Sequence, residues 1–255
     1  MSGQIHQSVV RWPFQSIPLD ELCLSAAEIG FEGVDVLMPD EYDVPGRYGL
    51  RCTMAWADLG DNKAIGLNRI ENHAGFEAAL REHAPRAARA GIANVITFSG
   101  PRAPDLDDEQ GARNTVLGLK RLAPIAADYG LTICLEYQNS KRDHPGYMCD
   151  RTPWGIRVVQ ETDSPNVSLL YDIYHMQVME GDVIQTITTN GSWFHHYHMA
   201  GVPGRHEPDE TQEVYWPAVV RAIAATGFSG YLAHEFIPTR EPFTALAEAY
   251  RLCDV

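Results

Sequence analysis

Four times along this chain a helical tail runs into a glycine, then an apolar residue, then a short β-compatible run. The segments are Ala26 to Leu37, Ala87 to Phe98, Ala126 to Glu136 and Ala224 to Glu235, with the glycines at Gly30, Gly91, Gly130 and Gly227. A glycine after the last helical turn closes a helix in the left-handed conformation. The next apolar residue (Phe31, Ile92, Leu131 or Phe228) then packs back on that turn. Each segment therefore reads as helix, stop, short turn and strand, the connection that an alternating α/β protein uses.

The same reading applied to the whole chain gives eight strands: Gln7 to Trp12, Gly33 to Leu37, Leu50 to Ala55, Asn94 to Phe98, Thr132 to Glu136, Val167 to Asp172, Trp193 to His198 and Tyr231 to Glu235. Helices are expected between most of them. Pro18 to Ile29 opens with proline near its first turn. Phe76 to Ala90 and Glu109 to Tyr129 carry Pro85 and Pro124, each expected to kink or break its helix. Thr152 to Glu161 has Thr152 as a cap and Pro153 at the first position. Asp182 to Thr189, Tyr215 to Thr226 and Phe243 to Cys253 complete the set, while Met38 to Gly49 is too short and too rich in Gly and Pro for a good helix. Eight parallel strands with intervening helices predict a single (β/α)8 TIM barrel over residues 1–255, an α/β fold for which this length is typical. The doubly wound alternative lacks a glycine-rich phosphate loop after any strand.

Composition narrows the partners. A formal net charge of −14 argues against a nucleic-acid or anionic-membrane surface, where a basic patch is expected. Five scattered cysteines without C-x-x-C spacing fit reduced thiols in a cytoplasmic protein. Met1 to Gln7 shows no secretory signal, and no run is long enough to span a bilayer. A homo-oligomer is compatible with all of this.

Four of the hydrophobic runs close on a residue able to bind a divalent cation: Glu136, Asp172, His198 and Glu235. Carboxylates are seldom buried unless paired or bound to metal. Taken singly, each is an ordinary polar strand end. At the C-terminal tips of four neighbouring staves they meet on the face where barrels carry their active sites. Three carboxylates and an imidazole make a hard, oxygen-rich site for one divalent ion. Mn²⁺ or Mg²⁺ come first, with Co²⁺ or Zn²⁺ as further options and a closed structural zinc disfavoured.

The runs Leu135 to Asn139, Tyr171 to Gln177, Gly201 to Pro208 and His234-Glu235 resemble the hydroxypyruvate isomerase-like branch of the xylose-isomerase-like barrels, a superfamily that also holds the ketose 3-epimerases. The resemblance covers most of the chain and is densest from Leu131 to Pro238. It implies that Glu136 and Glu235 bind the metal and exchange a proton with substrate carbon, that Asp172 and His198 complete the ligand set, and that His175 and Arg205 hold substrate oxygens. Hydroxypyruvate isomerases often carry glutamine at the position of His198 and ketose epimerases histidine, so both substrate classes stay open. The expected function is isomerisation of a small keto acid or keto sugar by glutamate-mediated proton transfer through a metal-stabilised enediolate. A ketose 3-epimerase is the alternative. An endonuclease IV-type phosphodiesterase is a remote one, which the charge opposes, and a non-catalytic sugar-binding barrel is expected to have lost one of the two glutamates.

Other residues receive quieter roles. Alternation puts His196 on the face of His198 and His195 on the opposite one. His234 is expected to point out of the barrel, and Cys149 to be inert. The loop Asn139 to Cys149 reads equally as a flap presenting Lys141, Arg142, His144 or Tyr147, or as a solvated loop. Trp12, Phe14 and Trp56 either wall the pocket or, the preferred reading, pack in the core.

Overall fold

Among the described residues, nine strands in a single parallel sheet wrap into a barrel, and helices cover its outside. A computed structural model describes residues 5–56 and 65–255; of the Met1 to Gln7 stretch read for a secretory signal, the first four residues lie outside them. The strands are β1 (His6–Val10), β2 (Gly33–Asp35), β3 (Arg51–Cys52), β4 (Ala55–Trp56), β5 (Asn94–Thr97), β6 (Thr132–Glu136), β7 (Val167–Asp172), β8 (Phe194–Met199) and β9 (Tyr231–His234), in the sheet order β3-β2-β1-β9-β8-β7-β6-β5-β4.

The ninth strand comes from a split in the expected third. β3 pairs with β2, while β4 pairs with β5. The chain changes partner at Thr53-Met54, so the two halves form one interrupted stave. Backbone bonds hold the break to β2: Thr53 N–H donates to Val34 C=O (3.0 Å), Leu37 N–H to Met54 C=O (3.2 Å) and Trp56 N–H to Leu37 C=O (3.0 Å). The ring is thus eight staves around.

The helices are α1 (Leu19–Ile29), α2 (His73–Arg89), α3 (Asp108–Asp128), α4 (Thr152–Thr162), α5 (Ile173–Met179), α6 (Val183–Asn190), α7 (Trp216–Ala225) and α8 (Pro242–Cys253). The glycine stops form as read. Gly30 sits at φ 117°, and Phe31 N–H reaches back to Ala26 C=O at 3.0 Å with its ring buried. Neither Pro85 nor Pro124 ends its helix. A buried proline-interior helix costs about 3 kcal/mol, but Ala84 and Ala87 flank the first proline, and Ala123, Ile125 and Ala126 the second, all buried against the barrel. Packing on both sides holds each helix through the missing bond.

Two further expectations are corrected. Thr152 is not the cap of α4: Arg151 is, and the Thr152 hydroxyl instead donates to Glu180 Oε2 at 2.6 Å. α5 was not anticipated, because it starts directly after Asp172 with no intervening loop. Among the described residues no helix is long and apolar enough to cross a membrane.

Candidate functional site

The barrel's C-terminal mouth gathers the four strand-tip residues. Asp172 and His198 are register partners on β7 and β8, Glu136 ends β6, and Glu235 follows β9 with its N–H on Met199 C=O at 2.8 Å. One potential ligand atom from each of Glu136, Asp172, His198 and Glu235 lies within 4.8 Å of all the others, and all four residues are buried. His198 Nδ1 is 3.1 Å from Glu235 Oε2 and 3.4 Å from Glu136 Oε1.

Asp172 has two jobs that its two oxygens divide. Oδ1 accepts the His175 N–H at 3.0 Å and so starts α5. Oδ2 is buried with no hydrogen-bond partner. A buried carboxylate oxygen left bare costs several kcal/mol unless a cation or proton meets it. Burial, then the Glu235 charge, pushes the Asp172 carboxyl well above its ordinary range. Burial alone would lower His198, but the Glu235 charge and the hydrogen bonds that the ring donates to Asp35, Glu136 and Glu235 overcome it and raise the imidazole well above its usual value. The Glu235 charge acts in the same sense on both: beyond burial, it raises Asp172 and His198 alike, as expected where several carboxylates share a buried site. The donor set therefore fits a divalent metal ion, with Asp172 Oδ2 the oxygen that no hydrogen bond engages.

Arg205 closes the site. It lies in the loop after β8 in a left-handed conformation (φ 59°), buried, and donates to Glu235 Oε2 at 2.7 Å. Its guanidinium rests 5.1 Å from the ring centroids of both Trp12 and Tyr174. Trp12 donates its indole N–H to Glu235 Oε1 at 2.5 Å. Beside it a cavity of about 480 Å³ is walled by Trp12, Trp56, Val36 and Met38, with Arg11 and Glu41 on its rim. Phe14 is a core residue against Phe236. Trp12 is a wall residue, contrary to the preferred reading, while Trp56 both lines the cavity and packs on the core against Phe98.

The His175 ring stands over the same cluster. Its Nε2 is 3.5 Å from Asp172 Oδ2, and its Nδ1 is 2.7 Å from the Asn139 amide nitrogen. The loop Asn139 to Cys149 is tied down on both sides. Lys141 donates to the carbonyls of Val178 and Met179, capping α5, and the buried Tyr147 hydroxyl bridges Ser99 N–H and Glu136 C=O. His144 stands edge-on to His175 with centroids 5.3 Å apart. Cys149 is buried, and burial lifts its thiol well above the usual range. His195 is exposed and His196 buried, as alternation requires.

Two participants were missed. Gln138 donates to Glu136 Oε2 at 2.6 Å; its place two residues past the strand tip was the available signal. Asp35 ends β2 and accepts from His196 Nε2 at 3.0 Å and His198 Nε2 at 2.9 Å. Burial would raise this carboxyl, yet the two imidazoles hold it far below the ordinary range. The strand was read through to Leu37, which hid Asp35 in mid-strand. Val36 breaks it by adopting φ 54°, a rare conformation for a β-branched residue.

A family model described as a xylose isomerase-like TIM barrel matches residues 24–253. The chain is 30% identical over 230 residues to a 2-oxo-tetronate isomerase of Cupriavidus necator, covering 86% of this chain and 87% of that one. It is 28% identical over 223 residues to a hydroxypyruvate isomerase of Escherichia coli, covering 84% and 85%. A crystal structure titled AP endonuclease, family 2, from Brucella melitensis superposes with a TM-score of 0.84 at 26% identity, covering 96% of this chain and 98% of that chain.

Proposed function

The chain belongs to the xylose isomerase-like TIM barrel family, and from that premise we propose that it is a divalent-metal-dependent isomerase of a small keto acid. The observation that carries the reading is the buried cluster of Glu136, Asp172, His198 and Glu235, in which one Asp172 oxygen accepts no hydrogen bond. The relatives' names supply the substrate class: one is a 2-oxo-tetronate isomerase and one a hydroxypyruvate isomerase. Five free, buried cysteines accord with a cytoplasmic setting.

The reaction needs a weakly acidic C–H proton removed beside a carbonyl and returned to the neighbouring carbon. A divalent cation held by the four residues would neutralise the charge that grows on the two substrate oxygens as the enediolate forms. Glu136 and Glu235, both members of the cluster, are in this reading the proton-transfer carboxylates. Glu235 is fixed by Trp12 and Arg205, and Glu136 by Gln138. Arg205, its guanidinium 5.1 Å from two aromatic ring centroids, presents its remaining N–H groups to a substrate carboxylate or hydroxyl. His175 offers a ring nitrogen to a substrate oxygen beside Asp172.

Return of the proton to the same carbon from the opposite face would instead give epimerisation, and His198 is the residue that keeps a ketose 3-epimerase as the alternative. An endonuclease IV-type phosphodiesterase fits poorly with a net charge of −14.

Solvent exchange in D2O followed by NMR tests the proposal across hydroxypyruvate, 2-oxo-tetronate, other keto acids and several ketoses. Deuterium should enter the carbon beside the carbonyl of a keto acid, and only with Mn²⁺ or Mg²⁺ present. Undiminished turnover after exhaustive chelation would sink it.

A further inference from the structure

Asp35 and His198 meet across the barrel mouth, with β1 and β9 between their strands. The Asp35 carboxylate is fully buried and held by three donors. Thr53 Oγ1 donates to Oδ1 at 2.5 Å, while His196 Nε2 and His198 Nε2 both reach Oδ2, at 3.0 and 2.9 Å. With donors on both oxygens, the carboxylate is fixed in rotation. An ionised carboxylate only accepts, so each of these Nε2 atoms carries a proton.

That assignment decides which end of His198 can exchange its proton for a cation. With the Nε2–H held by Asp35, the proton that an arriving cation displaces is the one on Nδ1, which leaves the lone pair there. Nδ1 is the atom 3.1 Å from Glu235 and 3.4 Å from Glu136, inside the carboxylate cluster. We infer that Asp35 is the positioning residue that holds His198 as the Nε2–H tautomer and so makes Nδ1 its cation-ligating atom. Asp35 touches neither the cation nor the substrate; it acts through the ring. The negative charge behind the ring also makes Nδ1 a better donor to a cation. His196 is the second clamp on the same oxygen, which explains a buried imidazole one alternation below a ligand. The inference rests on the reading that the four-residue cluster binds a divalent ion.

Calorimetric titration of the metal-free protein with Mn²⁺, comparing wild type with Asp35→Asn, provides the first test. An amide at position 35 can offer an N–H to the His198 ring, which favours a bare Nε2 and a proton on Nδ1, the wrong tautomer for the cluster. Expected is one ion per chain in the wild type and roughly 10- to 100-fold weaker binding in the variant. Equal affinity in a folded variant would overturn the role of Asp35 and leave the cation site standing. No binding by the wild type would overturn the cation site, and this inference with it. A second measurement needs no variant: ¹⁵N-histidine-labelled wild type titrated with Mg²⁺. The Nδ1 resonance of His198 should move while Nε2 keeps its proton. Loss of the Nε2 proton on loading, or two ions bound per chain, would mean that Asp35 and the two histidines themselves ligate, and would overturn the proposal.

Discussion

Trp12 and Glu235, 223 residues apart in sequence, are joined by a 2.5 Å indole-to-carboxylate hydrogen bond. The bond engages one Glu235 oxygen, while Arg205 and His198 engage the other. The tryptophan therefore aims a carboxylate as well as walling the cavity. Hydrogen bonds to charged groups contribute about 1.5–3 kcal/mol, so Trp12→Phe should lower kcat by roughly 10- to 100-fold. The phenyl ring keeps a face for Arg205, and KM should change less than kcat. A steady-state comparison on the preferred keto acid checks both; a pure KM effect would reduce Trp12 to a wall.

The two glutamates should part company when neutralised. Glu136 sits among carboxylates and receives one amide bond from Gln138. Its charge is among those that raise Asp172, so Glu136→Gln relieves repulsion in the metal-free protein. Glu235 is the 2.7 Å partner of the buried Arg205, whose next carboxylate, Asp172, is 3.7 Å away. Breaking a buried pair costs about 3–5 kcal/mol. Glu235→Gln should therefore lower the metal-free melting temperature by several degrees, and Glu136→Gln should leave it unchanged or raise it. Both should lose roughly 10²- to 10⁴-fold in turnover, the usual contribution of a general acid or base. Thermal melts and turnover on the same preparations make the comparison.

These relationships show where the sequence was legible and where it was not. Gly30, Gly91, Gly130 and Gly227 marked strand entries because a helix stop is local chemistry, and the alternation of His195 and His196 followed from strand geometry alone. Asp35 escaped because Val36 takes a left-handed conformation that no propensity predicts. The split at Thr53-Met54 reflects a change of neighbours, which is a property of the closed ring. α5 was hidden since Asp172 both ends β7 and caps the helix, leaving no turn to read. The Trp12 and Gln138 bonds needed distances, one between chain ends and one between a strand tip and its own loop.

Adding a divalent ion should stabilise the folded chain. An ion that binds only the native state contributes about 2.7 kcal/mol at one hundred times its Kd. For a chain of this size that corresponds to a rise of roughly 5–10 °C in melting temperature. The rise should appear with Mn²⁺ or Mg²⁺, saturate at one ion per chain and reverse with EDTA. Asp172→Asn should abolish most of it, because the amide cannot replace the bare Oδ2. An equal rise in that variant would place the ion elsewhere.

His234 gives the fold an acid limit away from the cluster. Its ring points out of the barrel, donates or accepts at 2.8 Å with Gln7 Oε1, and packs against Phe31 with centroids 5.1 Å apart. Burial lowers its pKa from 6.5 to about 3. Between those values the unfolded chain binds a proton that the folded chain does not. Stability attributable to His234 is therefore intact above pH 6.5 and falls with pH, by about 1.4 kcal/mol per unit, until the folded-state pKa is reached. His234→Gln retains an N–H for Gln7 and removes the titration. Urea unfolding from pH 6.5 to 4.5 should show the variant losing roughly 2–3 kcal/mol less than the wild type. Parallel losses over that window would mean that the buried ring is protonated in the folded protein, and that its environment stabilises the charged form.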